Sequence, residues 1–310
     1  MKKFAFFFPG QGSQSVGMKK DFGDMSIIHD TFAEGSDILG VDFWRMVTEH
    51  NEDLHLTTNT QPLMLIAGFA AWRAWHETGG KNPDVMAGHS LGEYTALVAS
   101  GVVTFKDALP LVRYRAEVMQ SAVPEGEGAM AAILGLDDDA VRNACAEAAQ
   151  NQVVEAVNLN SPGQVVVAGH KAAVERALVI AKANGARHAV HLPVSVPSHC
   201  SLMKPAAEKL RAYLQNVTFH SGSIPVIQNA DVVAYHDVDK IKDALVRQLY
   251  SPVRWADTVR AMYAQGVTAS AECGPGRVFA GVTKRIVAEL PCIALTSPAA
   301  LEEARQLFAQ

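Results

Sequence analysis

Residues 84–100, DVMAGHSLGEYTALVAS, set a short apolar run directly against a helix-forming run, with one serine between two glycines at the junction. That junction restricts the architecture strongly. A strand that becomes a helix within a few residues belongs to a sheet with helices packed on its faces. The pentapeptide Gly88-His89-Ser90-Leu91-Gly92 fits G-x-S-x-G, with a strand-like run before it and a helix-forming run after it. A sharp strand-to-helix turn strains the central residue, and small flanking glycines let neighbouring backbone approach. The Ser90 hydroxyl is then expected above a sheet edge at a helix N-terminus, where free amides favour developing negative charge. Taken alone, the pentapeptide is equally consistent with a Gly-Ser turn that caps an ordinary helix.

Up to about residue 124 the chain alternates short apolar runs, Phe4–Phe8 and Val85–Ala87, with helix-length amphipathic segments. This is an α/β pattern with buried strands. In NTQPLMLIAGFAAWRAW, Pro62 near the start predicts a helix beginning near Gln61, because the first turn tolerates a missing amide donor. Between VPEGEG (123–128) and LPVSVPSH (192–199) the pattern changes. Strands are expected at Ala129–Leu134, Val153–Asn158, Val165–Ala168 and Arg187–Leu192, and helices at Asp137–Ala149 and Lys171–Asn184. The order β-α-β-β-α-β is that of a ferredoxin-like unit. Residues 125–196 are therefore expected to form a small inserted domain, with 1–124 and 197–310 making the large one.

Lys and Arg total 27 against 32 for Asp and Glu, a net charge of -5, so no general field gathers phosphate backbones and nucleic acid is not an expected partner. Cys145, Cys200, Cys273 and Cys292 lack CxxC or CxxH spacing, which argues against zinc and a disulfide framework and fits a reducing cytoplasm. The opening MKKFAFFFPG imitates an export signal, but its apolar run ends at Pro9, short of the ~7 residues required. No stretch approaches the ~18 apolar residues of a membrane span. A soluble cytoplasmic protein is expected.

A serine hydroxyl needs a base, and in folds of this kind the histidine follows the serine in the chain. Of eleven histidines, His188 and His191 fall on opposite faces of a strand-like run, and His89 is turned away by the elbow itself. His199, in PVSVPSHCSLM, follows two prolines that stiffen its loop, and is the best candidate. Adjacent Cys200 diverges from it in direction.

FPGQGSQ (8–14), GHSLGEY (88–94), VPEGEGAM (123–130), NSPGQVVVAG (160–169), VPSHC (196–200), QLYSPVRW (248–255) and GPGRV (274–278) together resemble the malonyl-CoA:acyl carrier protein transacylases along the whole chain. The resemblance implies a hydrolase-like large domain with a parallel central sheet and an inserted ferredoxin-like domain. It implies transfer of malonyl from malonyl-CoA to the phosphopantetheine thiol of acyl carrier protein, in fatty acid biosynthesis, with no cofactor and no metal. By the same resemblance Ser90 is the nucleophile, His199 the base, and the main-chain carbonyl of Gln248 the group that orients the imidazole. The amides of Gln11 and Leu91 hold the oxyanion, Arg115 grips the malonyl carboxylate, and Asn160 and Met119 lie near the acyl pocket. Ala116 departs from the usual glycine after that arginine, while Arg113 falls about 200° around the helix on another face. Arg277, Lys284 and Arg285 are a candidate patch for the acidic carrier, and a monomer is expected. The alternatives are a related acyltransferase of polyketide or malonate metabolism, a serine thioesterase or hydrolase, or a non-catalytic docking module.

Overall fold

The apolar run near the start of the chain becomes the middle strand of a parallel sheet. A computed structural model, which describes residues 2–310, places β1 at Lys3–Phe8, followed by helices α1 (Ser26–Leu39), α2 (Phe43–Thr48) and α3 (Thr57–Glu77). Strand β2 (Val85–Gly88) then pairs in parallel with β1, and α4 (Leu91–Ala99) and α5 (Phe105–Ser121) follow. Phe6 and Phe8 point into a core with Trp72, Trp75 and Leu97; Ala5 and Phe7 point into another with Trp255 and Phe279. Both faces are covered, which is why the strand reads as an unbroken apolar run.

Helix α3 begins at Thr57, a turn earlier than Pro62 predicts. Thr60 Oγ1 donates to the carbonyls of Leu54 (2.7 Å) and Leu56 (2.9 Å), fastening the added turn. Pro62 thus sits in the second turn, where its missing donor costs a single hydrogen bond near the helix start.

The middle of the chain forms β3 (Gly128–Leu134), α6 (Asp138–Ala149), β4 (Val154–Ser161), β5 (Gln164–His170), α7 (Lys171–Ala183) and β6 (His188–His191). The sheet order is β4-β5-β3-β6 with every pair antiparallel, the arrangement of the expected ferredoxin-like unit. One face packs on α6 and α7 through Val141, Val174 and Leu178; the other meets Cys200 through Met130, Val157 and Ala168. Strand β4 runs three residues further than expected, so Asn160 lies on the strand and not in the turn. Irregular register in β4 lets Leu159 donate to the Val253 carbonyl and Val253 to that of Val157, tying the smaller sheet to the segment that follows Gln248.

The chain then supplies α8 (Lys204–Leu214), β7 (Val226–Ile227), α9 (Val238–Gln248), α10 (Trp255–Ala264), β8 (Val267–Glu272), α11 (Val278–Ile286), β9 (Cys292–Ala294) and α12 (Pro298–Ala309). The larger sheet has the order β7-β2-β1-β8-β9, all parallel. A parallel sheet of this kind offers its ligand crevice at the carboxyl ends of the strands, where β1 ends at Phe8 and β2 at Gly88. Among the described residues no helix is long and apolar enough to cross a membrane.

Candidate active site

Ser90 leaves β2 with φ 55° and ψ −112°, a conformation that non-glycine residues rarely hold, and α4 starts at the next residue. The flanking glycines are required by contact. A Cβ on Gly92 would lie 2.1 Å from the Phe8 carbonyl oxygen, and one on Gly88 would lie 1.9 Å from the Gly92 carbonyl carbon. No side chain fits at either place.

The turn brings Ser90 Oγ to 2.8 Å from His199 Nε2, across 109 positions of sequence. His199 Nδ1 lies 2.8 Å from the main-chain oxygen of Gln248, at the end of α9. A carbonyl only accepts, so Nδ1 carries the proton and Nε2 is left free to accept from the Ser90 hydroxyl. His199 is 3 % exposed, and burial, reinforced by the nearby Arg115 cation, pushes its pKa down to about 3. The imidazole is therefore held in its neutral, proton-accepting form.

Arg115 projects from α5 into the same space and is 1 % exposed. One Nη donates to Gln61 Oε1 at 2.8 Å; the other donates to Gln248 Oε1 at 2.8 Å and to Ser90 Oγ at 3.2 Å. Among the described residues no carboxylate lies within ion-pair distance of it, and its Nε is buried without a partner. Burial lowers its pKa, yet a guanidinium keeps its charge at any physiological pH. A buried cation beside a serine hydroxyl, with only neutral acceptors, has the chemistry to accept an anion. Ala116 beside it is fully buried in the helix packing. Arg113, on another face of the helix as expected, is half-buried and donates to the Leu39 carbonyl at 3.0 Å, closing the C-terminus of α1.

Two backbone amides remain unspent beside the serine. Among the described residues, no acceptor takes the amide of Leu91, the first residue of α4, or that of Gln11. A Cβ on Gly10 would lie 2.4 Å from the His89 carbonyl oxygen and 3.8 Å from the Leu91 nitrogen, so the Gly10–Gln11 segment runs against the elbow. The Gln11 side chain is exposed and donates to Thr57 Oγ1 at 3.3 Å.

A cleft of about 640 Å³ opens over Ser90, His199 and Gln11; Arg115, Leu91 and Gln248 are not among the residues that line it. Gln11, Gln14, His55 and Thr57 line it from the large sheet's side; Met130, Leu192, Val194 and Val196 form an apolar wall opposite; Ser90 and His199 lie between them. Asn160 and Met119 do not line it. Asn160 Oδ1 is 2.8 Å from His89 Nε2, and Met119 Sδ accepts from Gln61 Nε2 at 3.6 Å, so each supports a neighbour of the site. Cys200 is buried, donates to the Pro197 carbonyl, and has its thiol pushed up to about 12 by burial, which leaves no thiolate for nucleophilic work. Among the described residues no group of three or more His, Cys, Asp or Glu could hold a metal ion.

Four contributions escape the sequence: Gln61, Asn229, Glu93 and the side chain of Gln248. Gln61 and Asn229 stand in none of the motifs that carry the resemblance; Glu93 and Gln248 lie in GHSLGEY and QLYSPVRW, where nothing marks their side chains for these bonds, and Glu93 reaches Ser90 only through Asn229.

Residues 5–289 match the model of the acyl transferase domain family. The malonyl CoA-acyl carrier protein transacylase of Escherichia coli (strain K12) is 55 % identical over 309 residues, covering 99 % of this chain and 100 % of that relative. The chain belongs to the malonyl CoA-acyl carrier protein transacylase family. The relative of the same description from Bacillus subtilis (strain 168) is 43 % identical over 309 residues, with 99 % and 97 % covered. Among solved structures, an acyl carrier protein S-malonyltransferase from Vibrio cholerae matches with TM-score 0.95 and 55 % identity, covering 98 % of this chain and 100 % of that one. A malonyl-transacylase in complex with its type II PKS acyl-carrier protein matches with TM-score 0.97 and 52 % identity, covering 99 % and 100 %.

Proposed function

We propose that this chain transfers a malonyl group from malonyl-CoA to the phosphopantetheine thiol of an acyl carrier protein, as a step of fatty acid biosynthesis. The observation that carries the reading is the buried guanidinium of Arg115, bonded to the same Oγ that His199 engages. An acyl group with a free carboxylate is thereby held by its far end while its carbonyl meets the nucleophile. Ser90 Oγ attacks the thioester carbon as its proton passes to His199 Nε2. The oxyanion is taken by the unspent amides of Gln11 and Leu91. When the C–S bond breaks, the imidazolium returns that proton to the leaving thiolate; the carrier thiol then attacks the malonyl ester by the same steps in reverse, regenerating Ser90. One thioester replaces another, so the transfer needs no metal, cofactor or ATP.

The Gln248 carbonyl fixes the tautomer of His199 but carries no charge to stabilise an imidazolium, which favours transfer to a strongly nucleophilic thiol over hydrolysis. Nucleophile, base, cation and amide donors come from one chain, which supports action as a monomer. We divide the chain into a large domain, 1–124 and 197–310, and a small domain, 125–196, with the cleft between them. The four cysteines are unbridged, in keeping with a reducing cytoplasm.

Radiolabelled malonyl-CoA tests the assignment. Wild-type protein should retain covalent label and release it to holo carrier protein much faster than to water, and Ser90→Ala should retain none. Label persisting on Ser90→Ala would remove the serine from the mechanism.

A further inference from the structure

We propose that Asn229 is a positioning residue for the transfer: its carboxamide staples the nucleophile turn, so that the amide of Leu91, and not that of Ser90, is left facing the substrate. The proposal deepens the reading above and rests on Ser90 as nucleophile. Asn229 lies just after β7, wholly buried. Its Oδ1 accepts the Ser90 amide at 2.8 Å, and its Nδ2 donates to the Gly88 carbonyl at 2.7 Å. The two bonds span the turn from one end to the other.

Ser90 needs such a fastening because its positive φ is not self-sustaining, and a buried amide aimed away from the helix would otherwise go without an acceptor. The opposite side of the same residue is held as well. Gln248 Nε2 donates to the Ser90 carbonyl at 3.0 Å and to Asn229 Oδ1 at 3.2 Å, so one polar cluster fixes both ends of the Ser90 residue. Asn229 is itself held by the helix it staples: Glu93, in the first turn of α4, accepts the Asn229 amide on Oε1 at 2.6 Å and the Gln228 side chain on Oε2 at 3.4 Å. A carboxamide suits the task because it presents one acceptor and one donor, in the order that the Ser90 amide and Gly88 carbonyl demand.

The charged and titratable groups around it are Glu93 from α4, Arg115 from α5 joined through Gln248, the neutral His199 joined through Ser90, and the Asp231–Arg247 pair, Asp231 lying two residues on. The test uses that setting. In Asn229→Asp a protonated carboxyl reproduces the native bonds, with C=O toward Ser90 and O–H toward Gly88; once ionised, it sets a second acceptor against the Gly88 carbonyl.

Single-turnover acylation by radiolabelled malonyl-CoA is measured on full-length wild type, Asn229→Asp and Asn229→Ala from about pH 5.5 to about pH 8, with thermal unfolding followed at each pH. Asn229→Asp should approach the wild-type rate at the acid end and fall roughly tenfold or more below it at the alkaline end, with KM for malonyl-CoA within about twofold of wild type. Asn229→Ala should be slower by a similar factor at every pH. The staple is overturned if Asn229→Ala acylates at the wild-type rate, if Asn229→Asp parallels wild type across the range, or if both rates follow only the folded fraction. Either variant decides alone should the other fail to fold. A wild type that takes no label would overturn the transfer reading and this one together; a labelled wild type beside unaffected variants overturns this one alone.

Discussion

Replacing Arg115 by methionine keeps most of the buried volume and removes the cation, so it isolates what the guanidinium contributes to choosing an acyl group. Its two Nη atoms donate to neutral oxygens, those of Gln61, Gln248 and Ser90. A malonyl carboxylate would exchange two such bonds for charge-assisted ones. A bond to a charged group contributes about 1.5–3 kcal/mol against about 0.5–1.5 kcal/mol for a neutral pair, so two exchanges gain roughly 2–3 kcal/mol before the carboxylate is dehydrated. Dehydration of the anion subtracts from that. The remainder, about 1.5–2.5 kcal/mol, corresponds to roughly tenfold to seventyfold in kcat/KM. The assay compares kcat/KM for malonyl-CoA and acetyl-CoA, with carrier protein saturating, in wild type and Arg115→Met. The malonyl-to-acetyl ratio should fall by that factor. Loss of a donor to Gln61 Oε1 and Gln248 Oε1 also costs stability, on the order of 1–3 kcal/mol for each stranded acceptor, but both substrates share that loss and it leaves the ratio. Equal losses for the two substrates would refute the reasoning and leave Arg115 a part of the framework alone.

The depressed pKa of His199, about 3, means that kcat/KM should show no acid limb from this group above about pH 5, and that Arg115→Met should move the limb upward by removing a repelling cation. The stability sign follows from the same shift: between about 3 and the unfolded value of about 6.5 the unfolded chain binds more protons, so this contribution is complete above 6.5 and lost as pH falls toward 3. Denaturant titrations should show wild type losing stability relative to His199→Gln steadily as pH falls from about 6.5 toward 4. Gly92→Ala should lower stability by about 1–3 kcal/mol or prevent folding, because its methyl would sit 2.1 Å from the Phe8 carbonyl oxygen; an unchanged melting temperature would show that the elbow can open. Lys284 and Arg285 are exposed at the end of α11, and reversing both to Glu should raise KM for an acidic carrier protein several-fold without changing that for malonyl-CoA. Equal effects on the two substrates would exclude the patch.

Local pattern carried a large part of this protein. The run Phe4–Phe8 had to be a strand covered on both faces, the G-x-S-x-G junction had to be a strand-to-helix elbow, and the spacing of apolar runs over 125–196 laid out the ferredoxin-like unit almost residue by residue. These features depend on periodicity and on glycines at fixed offsets, which a single sequence displays. Strands β7 and β9, of two and three residues, have no period to read, and the six-residue β8 also went unread in the sequence. The start of α3 was misplaced because Pro62 marked a tolerable first turn, whereas the threonine bonds that extend the helix come from side chains.

At the site, sequence reasoning and resemblance supplied Ser90, His199, Arg115 and the carbonyl of Gln248, and folding joined them at hydrogen-bond distance. Asn229, Glu93, Gln61 and the Gln248 carboxamide became visible only in three dimensions. Asn229 stands 139 positions from the serine it holds, and a buried amide or carboxylate looks in sequence like any solvated polar residue. Composition determines which side chains can donate, accept or carry charge. Which of them lose water together around one hydroxyl is decided by packing, because only exclusion from solvent leaves Arg115 a buried cation without a carboxylate partner and keeps His199 neutral.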